Sequence, residues 1–192
     1  MSGTSTNDFI DPELAEHGDP RNVIDQYKTW SVAAIKTDLA QRAFPLHIAI
    51  ENYQHDYNIG SIVRSANAFN VSAVHIIGKK HWNRRGAMAT EKYLHVEHHQ
   101  SSDDFLDWHQ QHTKDYDLIG IDNVAGSTPL SRAPLPEQSI LIFGQEGPGL
   151  SEQMQQACAC LIAIEQFGST RSVNVGVAAG IILYEYVRRH RL

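Results

Sequence analysis

A segment near residue 60 places an arginine among small residues in a helical pattern. Asn58 stands where a helix N-cap is expected, and the apolar residues after it recur at the spacing of one helical face: Ile59, Ile62, Val63 and Ala66. Arg64 lies off this face, so its planar fork of donors could bind a phosphate. By itself, however, the pattern favours an ordinary surface arginine.

A glycine-rich turn follows an apolar run at residues 140–143. Gly144, Gly147 and Gly149 let the backbone approach a ligand such as an adenine or a ribose, although a structural tight turn has the same composition. A dinucleotide site is a rival interpretation, because Glu165 follows Gly144 at roughly the distance of a ribose-binding carboxylate. The glycine spacing is not G-x-G-x-x-G, and Pro148 removes an N–H from the turn, so the pattern argues against that site.

A third polar segment joins an apolar run to a helix rich in small residues. Ser172 and Asn174 stand at this junction, where they could cap the helix or bind a ligand. Gly176 and Gly180 lie inside the predicted helix, where glycine lowers stability relative to alanine. A close helix contact, a ligand or tight core packing would explain them.

Short aliphatic runs, typical of buried strands, alternate with helical segments along the chain. These strands and helices must position the three motifs. Six strands are predicted, at 46–51, 73–78, 94–98, 117–122, 139–144 and 160–165, together with a helix around 30–42. Strands separated by helices predict an α/β fold with a mainly parallel sheet and helices on both faces. Ligands of such sheets bind beyond the carboxyl ends of the strands, where all three motifs fall.

The composition indicates one globular domain over residues 26–192, preceded by a flexible or loosely packed extension over residues 1–25. The acidic start resembles no signal peptide, and no apolar run is long enough to span a membrane, so a cytoplasmic protein is expected. The net charge of −6 disfavours a nucleic-acid partner. However, the first 30 residues carry six acids against two bases, and basic clusters occur at 79–85 and 188–191, where either alone is typical of a solvated surface.

Taken together and in this order, the three motifs resemble those of the SpoU family of RNA 2′-O-ribose methyltransferases, within the SPOUT superfamily. The resemblance covers about residues 46–190. The matching residues are Asn58, Gly60, Arg64 and Ala66 in the first motif, Gly144, Glu146, Gly147, Gly149 and Leu150 in the second, and Ser172, Asn174 and Val175 in the third.

This resemblance implies a C-terminal trefoil knot, a homodimer with the first-motif helix near the subunit interface, and S-adenosylmethionine as cofactor. It implies that Arg64 acts on the ribose 2′-hydroxyl and an adjacent phosphate. The residues implied to complete the catalytic site are Asn58, Glu146, Ser172 and Asn174. Those implied to bind the cofactor, mainly through backbone groups, are Ile121, Gly144, Gln145, Gly149, Ile164, Ser172 and Val173.

The triplet at 144–146 resembles the branch that modifies tRNA guanosine, which makes tRNA the preferred substrate and rRNA the second. The sequence departs from the family pattern at Glu165, usually proline, and at Gly176, often serine. No metal is expected, because none of the eleven histidines has the spacing of metal ligands. Two alternatives remain open: a non-catalytic RNA-binding protein of the same fold, and a nicotinamide enzyme that would be stabilised by NAD.

Overall fold

Seven strands form one parallel sheet in the computed structural model, which describes residues 9–192. In chain order they are β1 (Phe44–Asn52), β2 (Val71–Gly78), β3 (Val96–His99), β4 (Asp117–Ile121), β5 (Thr128–Pro129), β6 (Ser139–Phe143) and β7 (Cys160–Ala163). Their order across the sheet is β3-β2-β1-β6-β4-β7-β5, with every pair parallel. The predicted α/β class with a parallel sheet is confirmed.

The predicted number of six strands was wrong, because β5 adds a seventh at the edge of the sheet. It pairs through Thr128 with Ile162 and through Pro129 with Ala163. Two residues are too few to show the alternation by which strands are recognised, and a proline argues against a strand except at a sheet edge. The sequence pattern therefore does not reveal β5.

Within residues 9–192, six α-helices accompany the sheet. They are α1 (Pro12–His17), α2 (Val32–Gln41), α3 (Ile59–Ala68), α4 (Ser102–His112), α5 (Glu152–Ala157) and α6 (Val175–His190). The helices α3 and α6 pack on one face of the sheet, and α4 and α5 pack on the other. The predicted apolar face of α3 is buried in full, at Ile59, Ile62, Val63 and Ala66. None of the helices in residues 9–192 is long and apolar enough to span a bilayer.

The N-terminal segment makes specific contacts where it is described. Residues 1–8 of the predicted extension lie outside the described residues. Beyond them, the Asp19 carboxylate accepts hydrogen bonds from the Arg21 guanidinium at 2.6 Å and from the Thr29 backbone N–H at 3.0 Å, and the contact with Arg21 holds the pKa of Asp19 well below its usual range. Phe9 stacks on Trp30. The division into an extension over 1–25 and a domain over 26–192 stays a prediction.

The carboxyl ends of all the strands meet at one edge of the sheet, since all strands run parallel. Strands β2 and β3 lie on one side of β1, while β6, β4, β7 and β5 lie on the other. Strand order therefore reverses beside β1, and this switch point is where open α/β sheets bind ligands. The loops after β1, β4, β6 and β7 converge there.

Candidate functional site

The turn after β6 is closed by its own backbone. The backbone N–H groups of Gln145 and Gly149 each donate to the carbonyl oxygen of the other at 3.0 Å. Gly149 adopts a left-handed conformation with φ of 76°. A side chain at Gly144 would overlap the backbone of Gly149 and Leu150. Glycine at 144 therefore lets the turn fold back on itself, and the exposed backbone faces the space beyond the sheet.

Two carboxylates that the sequence analysis did not single out hold this turn in place. Asp122, directly after β4, accepts a hydrogen bond from the backbone N–H of Leu150 at 2.8 Å. Glu51, near the end of β1 and 1% exposed, accepts bonds from the N–H of Ser151 at 2.8 Å and from its hydroxyl at 2.6 Å. Both acids stand at carboxyl ends of strands, which is the sequence signal that could have identified them.

The loop after β7 crosses to the loop after β4 and then enters α6. Asn123 donates through Nδ2 to the carbonyl oxygen of Arg171 at 2.8 Å. Asn174 caps α6, because its Oδ1 accepts the N–H of Gly176 at 2.9 Å. Ser172 lies two residues before this cap and is exposed. Of the two polar residues at the junction, only Asn174 is the cap.

These three loops enclose a cavity of about 590 Å³, within the size range of small-molecule sites. Every residue predicted to bind a cofactor lines it: Ile121, Gly144, Gln145, Gly149, Ile164, Ser172 and Val173. Glu146 and Asn174 also line the cavity, as do Asp122, Asn123 and Gln166, which the sequence analysis missed. Isoleucine, valine and phenylalanine side chains supply apolar walls, and the acids and amides supply polar groups.

Two residues that line the cavity carry buried acceptors without partners in the described part of the chain. The side-chain oxygens of Gln145 and Gln166 are shielded from solvent and accept no hydrogen bond from residues 9–192. A buried acceptor without a donor costs about 1–3 kcal/mol.

The three polar motifs meet in a hydrogen-bonded network beside the cavity. Asn174 donates through Nδ2 to Asn58 Oδ1 at 2.9 Å, and Asn58 donates through Nδ2 to Glu146 Oε2 at 2.7 Å. The prediction that Asn58 stands at the N-cap of α3 is confirmed. Its side chain makes no cap bond, because its amide is engaged by Glu146 and Asn174.

Within one chain, Arg64 does not contact the network of Asn58, Glu146 and Asn174. It is exposed on α3 and lines neither the main cavity nor a smaller one around Asn58 and Glu146. Its predicted place off the apolar face of the helix is confirmed.

The geometry does not support the dinucleotide interpretation. Glu165, the candidate ribose carboxylate, accepts a hydrogen bond from the backbone N–H of Ser131 at 3.1 Å, and hydrogen bonding to Ser131 lowers the pKa of Glu165. It is not among the residues that line the cavity. The acid instead joins the loop after β5 to the end of β7.

Replacing Asp122 with alanine is expected to destabilise the protein by about 1–3 kcal/mol, because the partly buried N–H of Leu150 loses its acceptor. Urea unfolding of the ligand-free protein measures this change. The matched control is Asp115→Ala, which removes an exposed acid before β4 and should change stability by less than about 0.5 kcal/mol. Equal stabilities of the two variants would show that Asp122 does not hold the turn.

Comparisons with known proteins agree with this arrangement. The chain is 29% identical over 166 residues to an uncharacterized tRNA/rRNA methyltransferase of Mycolicibacterium smegmatis, covering 82% of this chain and 51% of that protein. It is 29% identical over 158 residues to the 23S rRNA (guanosine-2′-O-)-methyltransferase RlmB of Neisseria meningitidis, covering 77% of this chain and 60% of the relative. The chain thus spans about half the length of the first curated relatives it matches.

Among solved structures, the SpoU methyltransferase AviRb of Streptomyces viridochromogenes in complex with AdoMet is similar. The TM-score is 0.68 at 25% identity, with 79% of this chain and 63% of that chain covered. Residues 45–184, which include all three motifs, match the SpoU rRNA Methylase family. The chain therefore belongs to the SpoU rRNA methylase family.

Proposed function

We propose that this chain transfers a methyl group from S-adenosylmethionine to a ribose 2′-hydroxyl of RNA. The observation that carries the proposal is the convergence of the three motifs. Asn58 bonds to Glu146, 88 residues later in the chain, and to Asn174, 116 residues later. This network lies at the rim of a cavity built from the loops after β4, β6 and β7.

The residues of the cavity fit S-adenosylmethionine. Its adenine suits the apolar walls that the isoleucine, valine and phenylalanine side chains supply. The carboxylates of Asp122 and Glu146 suit its positive charges. The backbone of the turn at 144–149 can approach the ribose because Gly144 has no side chain.

When bound, S-adenosylmethionine supplies an electrophilic methyl group and a neutral thioether leaving group, so the reaction itself needs no metal. The protein must hold the poorly nucleophilic 2′-hydroxyl in line with that methyl group. We assign this role to Arg64, whose guanidinium binds the adjacent phosphate and stabilises charge that develops on the 2′ oxygen. A guanidinium offers only donors, so orientation and charge stabilisation are favoured over proton abstraction. As the O–C bond forms and the S–C bond breaks, the 2′ proton leaves to water.

The other four residues divide into two groups in this proposal. Glu146 and Ser172 face the cavity and contact the substrates. Asn58 and Asn174 are positioning residues, because their amide groups are occupied by each other, by Glu146 and by the start of α6. Their loss would misplace Glu146 rather than remove a reacting group.

We propose a homodimer that joins α3 and α6 of two copies. Three apolar residues form an exposed stripe on α6: Val177, Ile181 and Tyr184 are 53%, 38% and 54% exposed. Gly180 lies on the same side, and a Cβ there would meet nothing within 4 Å, so packing within the chain does not require a glycine. A helix of a second copy crossing close to Gly180 would require one.

In this proposal Arg64 lies beside the stripe, which would account for its separation from the cavity of its own chain. Ser61, one turn before Arg64 on α3, lies against α6, where a Cβ on Gly176 would approach the Ser61 Cβ to 3.2 Å. In the proposed dimer, Arg64 therefore reaches the cavity of the partner. The catalytic site is then complete only in the dimer.

An exposed basic segment after β2 borders the same edge of the sheet. Lys79, Lys80, Arg84 and Arg85 are all exposed. Asn52, the last residue of β1, anchors this segment through bonds from Nδ2 to the carbonyl oxygens of Lys79 at 2.7 Å and His81 at 3.1 Å. We propose that the segment binds RNA phosphates beside Asn58. Transfer RNA is the preferred substrate and ribosomal RNA the second.

Replacing Lys80 and Arg85 together with alanine is expected to weaken tRNA binding about tenfold at 0.15 M salt. It should also reduce the slope of log Kd against log salt by about 1 for each phosphate that these side chains neutralise. Fluorescence anisotropy between 50 and 200 mM salt measures both. The matched control is the Lys36→Ala, Lys114→Ala double variant, which removes the same charge at exposed sites elsewhere. If both double variants weaken RNA binding equally, the segment contributes only through the overall charge of the protein.

Incubation with total RNA and methyl-labelled S-adenosylmethionine tests the function directly. We expect label in RNA as a 2′-O-methylnucleotide, found after digestion by mass spectrometry, and mapping of that nucleotide identifies the RNA. Binding of RNA without transfer would instead identify a non-catalytic RNA-binding protein. Thermal stabilisation by NAD and none by S-adenosylmethionine would overturn the proposal.

We further propose a cytoplasmic protein whose domain over 26–192 has the trefoil knot of the SPOUT fold. The support is that side chains of α6 donate hydrogen bonds to backbone carbonyl oxygens of the segment at 122–138. Tyr186 donates to the carbonyl oxygen of Glu137 at 2.6 Å, and Arg189 donates to those of Leu130 and Ala133 at 2.6 and 2.7 Å. Mechanical stretching from both termini tests the knot, because a knotted chain stays shorter than its full contour length.

A further inference from the structure

Three histidines on adjacent strands form a hydrogen-bonded row inside the protein, away from the cavity. His47 lies on β1, His75 on β2 and His99 on β3. His75, which is fully buried, has Nε2 at 3.0 Å from His47 Nδ1 and Nδ1 at 2.9 Å from His99 Nε2. The methyltransferase mechanism uses none of these rings.

A carboxylate adds a second kind of ligand to the row. Glu97 pairs with His75 across the two strands, and Glu97 and His99 are two residues apart on β3, so their side chains leave the same face of the sheet. Glu97 Oε2 lies 3.9 Å from His75 Nδ1 and, on its exposed side, 3.5 Å from His95 Nε2. One ligand atom from each of His75, Glu97 and His99 falls within 4.8 Å of the other two.

Aromatic side chains of α4 pack against these rings and fix them in place. Trp108 of α4 packs on His75 with ring centroids 4.3 Å apart, and Phe105 contacts both His75 and His99. Neutral imidazole is the form that binds metal ions.

We propose that His75, Glu97 and His99 form a binding site for a divalent transition-metal ion such as Zn²⁺. Two imidazole nitrogens and one carboxylate oxygen are a common donor set for such ions, with a fourth position for water. His75 would bind through Nδ1, while its Nε2–H donates to His47 Nδ1. A hydrogen bond of this kind from the far ring nitrogen orients a metal-binding histidine.

Binding requires only small movements. Zn–N bonds of about 2.0–2.1 Å at a tetrahedral angle place two nitrogens about 3.3 Å apart, against 2.9 Å between His75 and His99. Strand β3 lies at the edge of the sheet, so its side chains can shift without displacing a strand beyond it. The ion would join this edge strand to β2.

Metal titration of the untagged, chelator-treated full-length protein tests the site. We expect one Zn²⁺ per chain by calorimetry and a visible absorption band of bound Co²⁺. At one hundred times its dissociation constant, Zn²⁺ should raise the midpoint of thermal unfolding by about 5–10 °C. These measurements use neither RNA nor S-adenosylmethionine, so they succeed or fail independently of the proposed activity.

Variants assign the ion to these residues. Glu97→Gln keeps the size of a side chain that is one-third exposed, so it should fold normally, and it should abolish the Co²⁺ band and the thermal shift. His47→Phe should weaken Zn²⁺ binding about 10–100-fold while stoichiometry stays at one, as expected for an orienting partner. His81→Ala, which removes an exposed histidine elsewhere, should change nothing.

Two outcomes would overturn the proposal. The first is no metal binding by the wild-type protein, in which case the row is only a chain of hydrogen-bonded neutral imidazoles. The second is equal binding by wild-type protein and Glu97→Gln, which places the ion on other residues.

Discussion

Arg64→Ala is expected to lower methyl transfer by about 10²–10³-fold, the usual effect of removing one preorganised donor to a developing oxyanion. Single-turnover transfer to the mapped RNA measures this rate. The affinity for S-adenosylmethionine and the thermal stability should stay unchanged, because Arg64 is exposed, does not line the cavity of its own chain and is proposed to contact the RNA rather than the cofactor. Arg64→Lys should restore little activity, since an ammonium group cannot reproduce a two-pronged contact with phosphate.

The matched control is Arg132→Ala, which removes an exposed arginine before β6 and should retain full activity. Near-normal turnover by Arg64→Ala would remove this residue from the chemistry.

A mixing experiment locates the action of Arg64 in the dimer. Arg64→Ala and Glu146→Gln are each expected to be inactive alone. If Arg64 serves the cavity of its partner, each mixed dimer contains one complete site and one doubly altered site. Random pairing then restores about a quarter of wild-type activity. No recovery, with mixed dimers demonstrated by native mass spectrometry, would place Arg64 and Glu146 in the same chain's site.

Ile181→Glu is expected to convert the dimer into monomers and to reduce methyl transfer to near background. A carboxylate at this position on α6 would be buried without a partner in the dimer, and such a charge weakens association by about 100-fold or more. Sedimentation velocity measures the assembly state. Binding of S-adenosylmethionine should persist, because the residues that line the cavity come from one chain.

Val32→Glu is the matched control, since Val32 on α2 is 37% exposed and Ile181 is 38% exposed. It should leave both the dimer and the activity intact. A monomeric Ile181→Glu protein with full activity would contradict the shared site, and a dimeric one would contradict the proposed interface.

Local patterns predicted most of the secondary structure but not its finer bonding. The apolar face of α3 followed from helical spacing, because a helix repeats every 3.6 residues wherever it lies. The pattern also predicted Asn58 at the N-cap, and it occupies that position. Its side chain makes no cap bond and instead donates to Glu146, which lies 88 residues later in the chain. A local preference of about 1 kcal/mol was overridden by a tertiary partner.

The two groups of polar residues differ in how they could be recognised. Arg64, Glu146 and Asn174 each resembled an ordinary surface or turn residue, and only their combined resemblance to a known family joined them into one site. His75, Glu97 and His99 carried no signal, because their spacing matches no metal-binding motif. The register between β2 and β3 brings them together.

The sequence by itself determined the α/β class, the buried face of α3 and the three motifs, because these depend on backbone periodicity and on residue types close together in the chain. Only the tertiary structure decided the edge strand β5, the use of Asp122 and Glu51 to hold the glycine turn, the network of Asn58 with Glu146 and Asn174, and the separation of Arg64 from the cavity. These features depend on strand order, register and loop paths, which bring residues far apart in sequence into contact. No local pattern encodes such contacts, since their free energy arises only when the chain has folded.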